Sequence, residues 1–101
     1  MLEQQLERLR GAGIRILPLG ETSTHVLCER EGFAALVARR EDALGPAGST
    51  GLLTPRGFAA LVWKQEGAVF VAKGWEQPAT PEQVEALRRF AADLEAALRG
   101  S

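Results

Sequence analysis

A six-residue apolar string that occurs twice is the feature that most constrains how this chain can fold. Residues 32–37 and residues 57–62 both read Gly-Phe-Ala-Ala-Leu-Val, 25 positions apart. A short apolar run introduced by glycine is typical of a strand that is buried on both faces. The repeat therefore predicts two central strands of a β-sheet, and it carries no chemistry of its own.

Each copy of the string lies in a predicted strand that adjoins a Glu-Gly pair, and each pair predicts a two-residue hairpin turn. The turns are Glu31-Gly32 and Glu66-Gly67, and the strands that they join are predicted over residues 24–30 with 33–39 and over residues 58–65 with 68–75. A further run, residues 14–19, favours a strand, and Pro18 within it indicates an edge position. Residues 20–23 predict a turn between that edge strand and the first hairpin.

Helices are predicted at both ends of the chain. Leu2, Leu6 and Leu9 form a short apolar stripe that Gly11 ends. At the other end the residues of a capping box, Thr80 with Gln83, flank Pro81 at the first helical position. The stripe that follows predicts a helix to about Arg99, and its members are Val84, Leu87, Ala91, Leu94 and Leu98.

The segment between the two hairpins is rich in glycine, and we expect residues 45–51 to form a surface loop. Residues 33–44 also fit a helix, so the sequence leaves strand and helix open there. The predicted architecture is a single α+β domain over residues 1–101. It has a five-stranded, mostly antiparallel sheet in the order helix-β-β-β-loop-β-β-helix.

The two-residue turns assign cross-strand partners and therefore sheet faces. In the first hairpin Cys28 faces Ala35 and Val26 faces Val37. In the second hairpin, Val62 faces Val71, Lys64 faces Val69 and Ala60 faces Lys73 on one side. The other side carries no charge, and its members are Ala59, Leu61, Trp63, Phe70 and Ala72.

A sheet with one solvated face should alternate apolar and polar residues, and this one does not. If both helices pack on one side, we expect Leu61, Trp63 and Phe70 to form a partner interface, with Trp63 as its anchor. A homodimer is the default partner, since two-fold assemblies are the commonest oligomers. The alternative, one helix on each face, requires no partner.

The net charge and the length of the apolar runs argue against a nucleic-acid-binding protein and against a membrane protein. The chain has 12 basic and 13 acidic residues, so it lacks the basic footprint that nucleic-acid binding requires. Its longest apolar runs are six residues, too short to span a membrane, and its first residues do not resemble a signal peptide. We therefore expect a cytoplasmic protein without nucleic-acid or membrane partners. Abundant arginine and the lack of asparagine resemble thermophile composition.

Candidate chemistry is sparse. His25 and Cys28 are the single histidine and the single cysteine, and three positions apart on a strand they point to opposite faces. The sequence thus predicts no metal site, cofactor or catalytic pair. If Glu29 lies on an apolar face, its pKa would be raised and it could act as a general acid or base, but the sequence favours a solvated edge position for it. An enzyme built from glutamates and arginines that are distant in sequence stays the weakest hypothesis.

Two hypotheses for function follow. The first is a non-catalytic, adaptor-like interaction protein that dimerises through an apolar sheet face. The alternative is a small-molecule or anion-binding module, in which the glycine-rich loop supplies backbone N–H groups and nearby arginines supply charge. Its candidate residues are Arg39, Arg40, Gly48, Ser49, Thr50 and Arg56.

Overall fold

The computed structural model describes residues 2–19 and 23–100, and these form one antiparallel sheet with a helix at each end. The helices are α1 (Leu2–Gly11) and α2 (Pro81–Arg99). The strands are β1 (Arg15–Pro18), β2 (His25–Arg30), β3 (Phe33–Arg39), β4 (Leu44–Thr54), β5 (Gly57–Lys64), β6 (Gly67–Ala72) and β7 (Trp75–Pro78). Their order in the sheet follows their order in the chain, so each strand pairs with its sequence neighbours.

The α+β class, the antiparallel sheet and the terminal helices are confirmed, but the strand count is wrong. Within the described residues the sheet has seven strands and not five. One additional strand is β4, which contains the predicted loop 45–51. The other is β7, which turns back from β6 through Lys73-Gly74. Residues 20–22 of the predicted turn after β1 lie outside the described residues.

The sequence does not predict β4 because its glycine-rich residues resemble a loop. Glycine and proline lower strand propensity, yet residues 44–52 of β4 pair with β3, and residues 51–54 pair with β5. Its pairing with β3 shifts register between Ala35 and Val37 and again between Val37 and Arg39. Glycine inside a strand often marks such a bulge, and Gly45 and Gly48 lie in the part of β4 where the register shifts. Since β3 ends at Arg39 and β4 begins at Leu44, the helical alternative for residues 33–44 is also excluded.

The C-terminal helix begins and ends where its sequence predicts, with the predicted cap at its first residues. The Thr80 side chain accepts a hydrogen bond from the Gln83 N–H at 3.1 Å, and the Gln83 side chain accepts one from the Thr80 N–H at 2.9 Å. This is the predicted capping box, which satisfies two N–H groups that the helix leaves free. Gly100, in the left-handed conformation, ends α2 by donating its N–H to the Ala96 carbonyl.

The first hairpin has the predicted register, and the second is shifted by two residues. Glu31 and Gly32 both have positive φ, as a two-residue turn requires, and Arg30 pairs with Phe33. The second turn is formed by residues 65–66 rather than 66–67, so Val62 pairs with Val69 and not with Val71. A shift of two leaves every side chain on its predicted face, because side chains alternate with a period of two.

The repeated string forms β3 and β5, as predicted, but equivalent residues of its two copies lie on opposite faces of the sheet. Phe33 packs against the main core, whereas Phe58 does not belong to it. The difference arises in β4, where Phe33 pairs with Leu52 and Phe58 pairs with Leu53. These neighbours on one strand point to opposite sides of the sheet. The repeat in sequence is therefore not a repeat in structure.

Both helices pack on the same face of the sheet, which we call the inner face. One cluster contains Leu9 of α1 and Leu94 of α2 together with Val26, Cys28 and Phe70 of the sheet. The buried residues of α2 are Leu87, Phe90, Leu94, Ala97 and Leu98. Arg30 closes one end of this layer, since its guanidinium contacts the Phe90 ring and pairs with Asp93 at 2.9 Å. In the described part of the chain, no helix is long and apolar enough to cross a membrane.

Candidate interaction surface

The opposite face of the sheet, which we call the outer face, is apolar but belongs to no helix-covered core. Its apolar side chains are Leu17, Leu27, Ala34, Leu36, Leu53, Phe58, Ala60, Val62, Val69 and Val71. None of these residues is part of the cluster that contains the helices. Leu27, Ala34 and Val69 are buried among their neighbours, and Val62 is 39% exposed. The other six side chains are half-buried.

One line of paired residues crosses the whole outer face, and we call it the central row. From β1 to β7 its members are Arg15, Glu29, Ala34, Gly51, Ala60, Val71 and Glu76, each paired with the next. The row has a positive charge at one end and a negative charge at the other, with small residues over the middle strands. A parallel row on the same face is apolar and includes Leu17, Leu27, Leu36, Val62 and Val69.

The β1 end of the central row is an ion pair that also holds the first hairpin turn. Arg15 Nε donates to Glu29 Oε1 at 2.5 Å, and the Gly32 N–H donates to Glu29 Oε2 at 2.9 Å. The Arg15 hydrogen bond, with that from Gly32, holds the pKa of Glu29 below its ordinary value of 4.5, although burial opposes this. Glu29 thus lies buried on an apolar face, so the solvated edge position that the sequence favours is wrong. Its pKa is lowered and not raised, because the Arg15 hydrogen bond stabilises the charged carboxylate.

The β7 end of the central row is a second ion pair. Lys64 Nζ donates to Glu76 Oε1 at 2.8 Å, across β5 and β7. Both side chains are about half exposed, as is usual for surface pairs of small energetic value. The outer face thus has charges at its two lateral edges and apolar residues between them.

The edges of the sheet are poorly suited to pairing with another strand. The edge strands β1 and β7 have four residues each, and each ends at a proline, Pro18 and Pro78. Short edge strands and prolines, which lack an N–H donor, are features that prevent edge-to-edge association. An assembly of this protein is therefore expected to use a face of the sheet rather than an edge.

The residues predicted as a partner interface lie on the inner face. Phe70 is fully buried beneath the helices and Leu61 is half-buried against the same core. Trp63 is 63% exposed, at the margin of this layer. It borders a groove of about 320 Å³ that is formed with Ala68, Ala79, Pro81, Val84, Glu85 and Arg88. The helices therefore cover the face that we expected to be free.

The charge of Lys64 on β5 is the sequence signal that could have identified the outer face as the one that no helix covers. Lys64 lies on the same side of β5 as Val62, and an unpaired lysine is not buried beneath a helix without a large penalty. The uncharged side of the second hairpin is the one that the chain's own helices cover. The sequence does not show which side of the first hairpin continues this face, because it predicts a loop where β4 connects the two hairpins.

The residues predicted to bind an anion are not brought together. Arg39 is the last residue of β3, where it pairs with Leu44 at the start of β4, and Arg40 follows it, whereas Arg56 lies in the turn after the last residue of β4. At about 3.3 Å per residue, the two ends of this strand are about 30 Å apart. Gly48, Ser49 and Thr50 are strand residues of β4 and not a loop. A cradle of free N–H groups in a loop, the premise of that site, is absent from residues 45–51.

Cys28 and His25 lie on opposite faces of β2, as predicted. Cys28 is fully buried beneath the helices, and burial raises the pKa of its thiol to about 11. His25 is exposed and its Nδ1 lies 2.9 Å from Thr24 Oγ1. Among residues 2–19 and 23–100, no three acidic, histidine or cysteine side chains lie close enough to hold a metal ion.

A depression lies where the α1–β1 connection meets the first hairpin. It has a volume of about 580 Å³ and is lined by Ala12, Gly13, Arg15, Glu29, Arg30 and Glu31. Arg15 pairs with Glu29, and Arg30 pairs with Asp93, so these charges are already neutralised within the chain. A carboxylate with a lowered pKa is not suited to act as a general acid near neutral pH.

Comparison of the chain with protein-family models, with curated proteins and with solved structures gave no match.

Proposed function

We propose that this chain is a non-catalytic, adaptor-like interaction protein that dimerises through the outer face of its sheet. The observation that carries the proposal is that both helices pack on the inner face, while the outer face lacks the polar alternation of a solvated sheet. An apolar sheet face that no helix covers is a candidate interaction site, and Val62, which is 39% exposed, lies on it.

The size of the outer face suits a second copy of this chain. With strands about 4.8 Å apart, the face is roughly 30 Å wide, and three rows of side chains make it roughly 20 Å high. The resulting footprint of about 600 Å² approaches the roughly 800 Å² that each partner buries in a stable complex. The net charge of −1 leaves little overall repulsion between two copies.

The other surfaces are less suited to self-association. The side of α2 that faces away from the sheet carries Glu82, Glu85, Arg88, Arg89, Glu95 and Arg99, a mixture of both signs that is typical of a solvated helix. The edge strands are short and end in proline. Packing of two sheets face to face, as in a β-sandwich, would instead bury the apolar side chains of both copies.

Two adjacent residues on β5 allow a matched test. Val62 is exposed on the outer face, and Trp63 is exposed at the margin of the inner face. We expect the wild-type chain to have the mass of a dimer by light scattering, Val62→Glu to have the mass of a folded monomer, and Trp63→Glu to stay dimeric. Val62→Lys repeats the test with the opposite charge, and circular dichroism verifies folding.

Other outcomes would reject the proposal. A wild-type chain that is monomeric at high micromolar concentration would exclude a second copy as the occupant of the outer face. A dimer that Trp63→Glu separates and Val62→Glu does not would move the interface to the margin of the inner face, around Trp63.

A further inference from the structure

We infer that the two copies are related by a two-fold axis that runs along β4, so that Arg15 of one copy meets Glu76 of the other. This inference rests on the proposed function, since it concerns how the outer faces meet. The observation behind it is the order of residues in the central row, which has Gly51 of β4 at its midpoint.

A two-fold axis along the middle strand, lying between the two sheets, sets β1 of one copy over β7 of the other. The central row then lies on itself in reverse order. Gly51 meets Gly51, Ala34 meets Ala60, and the charged ends, Arg15 and Glu76, meet each other. The small residues at the centre permit close approach of the two sheets, because nothing larger than alanine stands on the three middle strands of this row.

The charges at the edges are complementary in this arrangement. Each edge would contain Lys64 and Glu76 of one copy beside Arg15 and Glu29 of the other. The sign alternates along this group, so each charge has an opposite neighbour. The Arg15 side chain is 67% exposed and that of Glu76 is 51% exposed, so both are available to a partner. Together they are long enough to bridge the about 10 Å between packed sheets.

The neighbouring apolar row is complementary in the same arrangement. Leu27 would lie over Val69 of the second copy, and Leu36 over Val62. The alternative two-fold axis, across the strands at the central row, would set Arg15 over Arg15 and Glu76 over Glu76. Like charges in direct contact disfavour that arrangement.

A double-mutant cycle tests this arrangement. Within one copy Arg15 and Glu76 are about 29 Å apart, across six strand spacings, so they cannot couple inside a monomer. We expect Arg15→Gln and Glu76→Gln each to raise the dimer dissociation constant about three- to tenfold, as for an exposed ion pair that exists twice. The double variant should raise it by no more than one of the single variants does.

The control cycle combines Glu76→Gln with Arg99→Gln, because Arg99 lies on α2, away from the outer face. In this cycle the effects of the two substitutions on the dimer dissociation constant should multiply. Multiplying effects for Arg15 and Glu76 would overturn the arrangement, and so would a dimer that Arg15→Gln tightens. In both cases the wild-type chain would still be a dimer. A monomeric wild-type chain is the separate result that rejects the proposed function itself.

Discussion

The side chain of Gln5 pairs with the backbone of Leu44 as a neighbouring strand would. Gln5 Nε2 donates to the Leu44 carbonyl at 3.0 Å, and the Leu44 N–H donates to Gln5 Oε1 at 2.8 Å. The same Nε2 donates to the Leu98 carbonyl at 3.0 Å. One buried amide on α1 therefore connects the first residue of β4 with the end of α2.

Replacing Gln5 should weaken the whole fold. In Gln5→Leu the Leu44 and Leu98 backbone groups lose buried partners, and we expect a loss of about 2–4 kcal/mol in the free energy of unfolding. Urea denaturation followed by circular dichroism measures it. Gln4→Ala, at the exposed neighbouring position, is the control and should change stability by less than about 0.5 kcal/mol. Equal effects at both positions would contradict this role for Gln5.

Glu29 should make stability sensitive to acid. Its pKa is lowered in the folded protein, chiefly by the Arg15 hydrogen bond, so the folded state binds fewer protons than the unfolded state. The stabilisation is complete above the ordinary pKa of 4.5 and is lost as the pH falls through the lower folded value. Glu29→Gln should flatten this part of a stability–pH curve, whereas the exposed Glu66→Gln should not. A curve of unchanged steepness in Glu29→Gln would refute the assignment.

Gly51 should tolerate no side chain. A Cβ at this position would overlap the Ala59 carbonyl oxygen and lie 2.8 Å from the Ala59 carbonyl carbon and 2.9 Å from the Ala60 Cα. Relief of such an overlap requires β4 and β5 to separate, so we expect Gly51→Ala to lower stability by about 3 kcal/mol or more.

Gly48 on the same strand provides the comparison for Gly51. A Cβ there would have only the Leu36 carbonyl oxygen nearby, at 3.4 Å, so Gly48→Ala should change the melting temperature little. Similar melting temperatures for the two alanine variants would be inconsistent with the close β4–β5 contact.

Cys28 should be chemically inert in the folded protein. Its thiol is fully buried and burial raises its pKa to about 11, whereas the thiolate is the reactive form. We expect a thiol-specific reagent at pH 8 to label the native chain at least about 100-fold more slowly than the chain in urea, because labelling must wait for the core to open. Labelling of the native chain at the urea rate would show that β2 is accessible beneath the helices.

Features that depend on neighbours in sequence could be predicted. The capping box of Thr80 and Gln83 and the apolar stripe after it involve residues within a few turns of one helix, so they located α2 to the residue. The Glu31-Gly32 turn set the register of the first hairpin because both residues had to adopt positive φ. The repeated string identified two strands for a similar reason, since strand formation favours short apolar runs between turns.

The faces of those strands were decided only by tertiary structure. Phe33 and Phe58 occupy the same place in the repeat, yet one packs in the core beneath the helices and the other lies on the outer face. The pairing of β3 and β5 with β4 determines on which face each phenylalanine lies. Local propensity does not predict β4, because the strand is rich in glycine and contains a proline. That strand is held by pairing with β3 along residues 44–52 and with β5 over residues 51–54, and such pairing between strands leaves no periodic signal in a sequence.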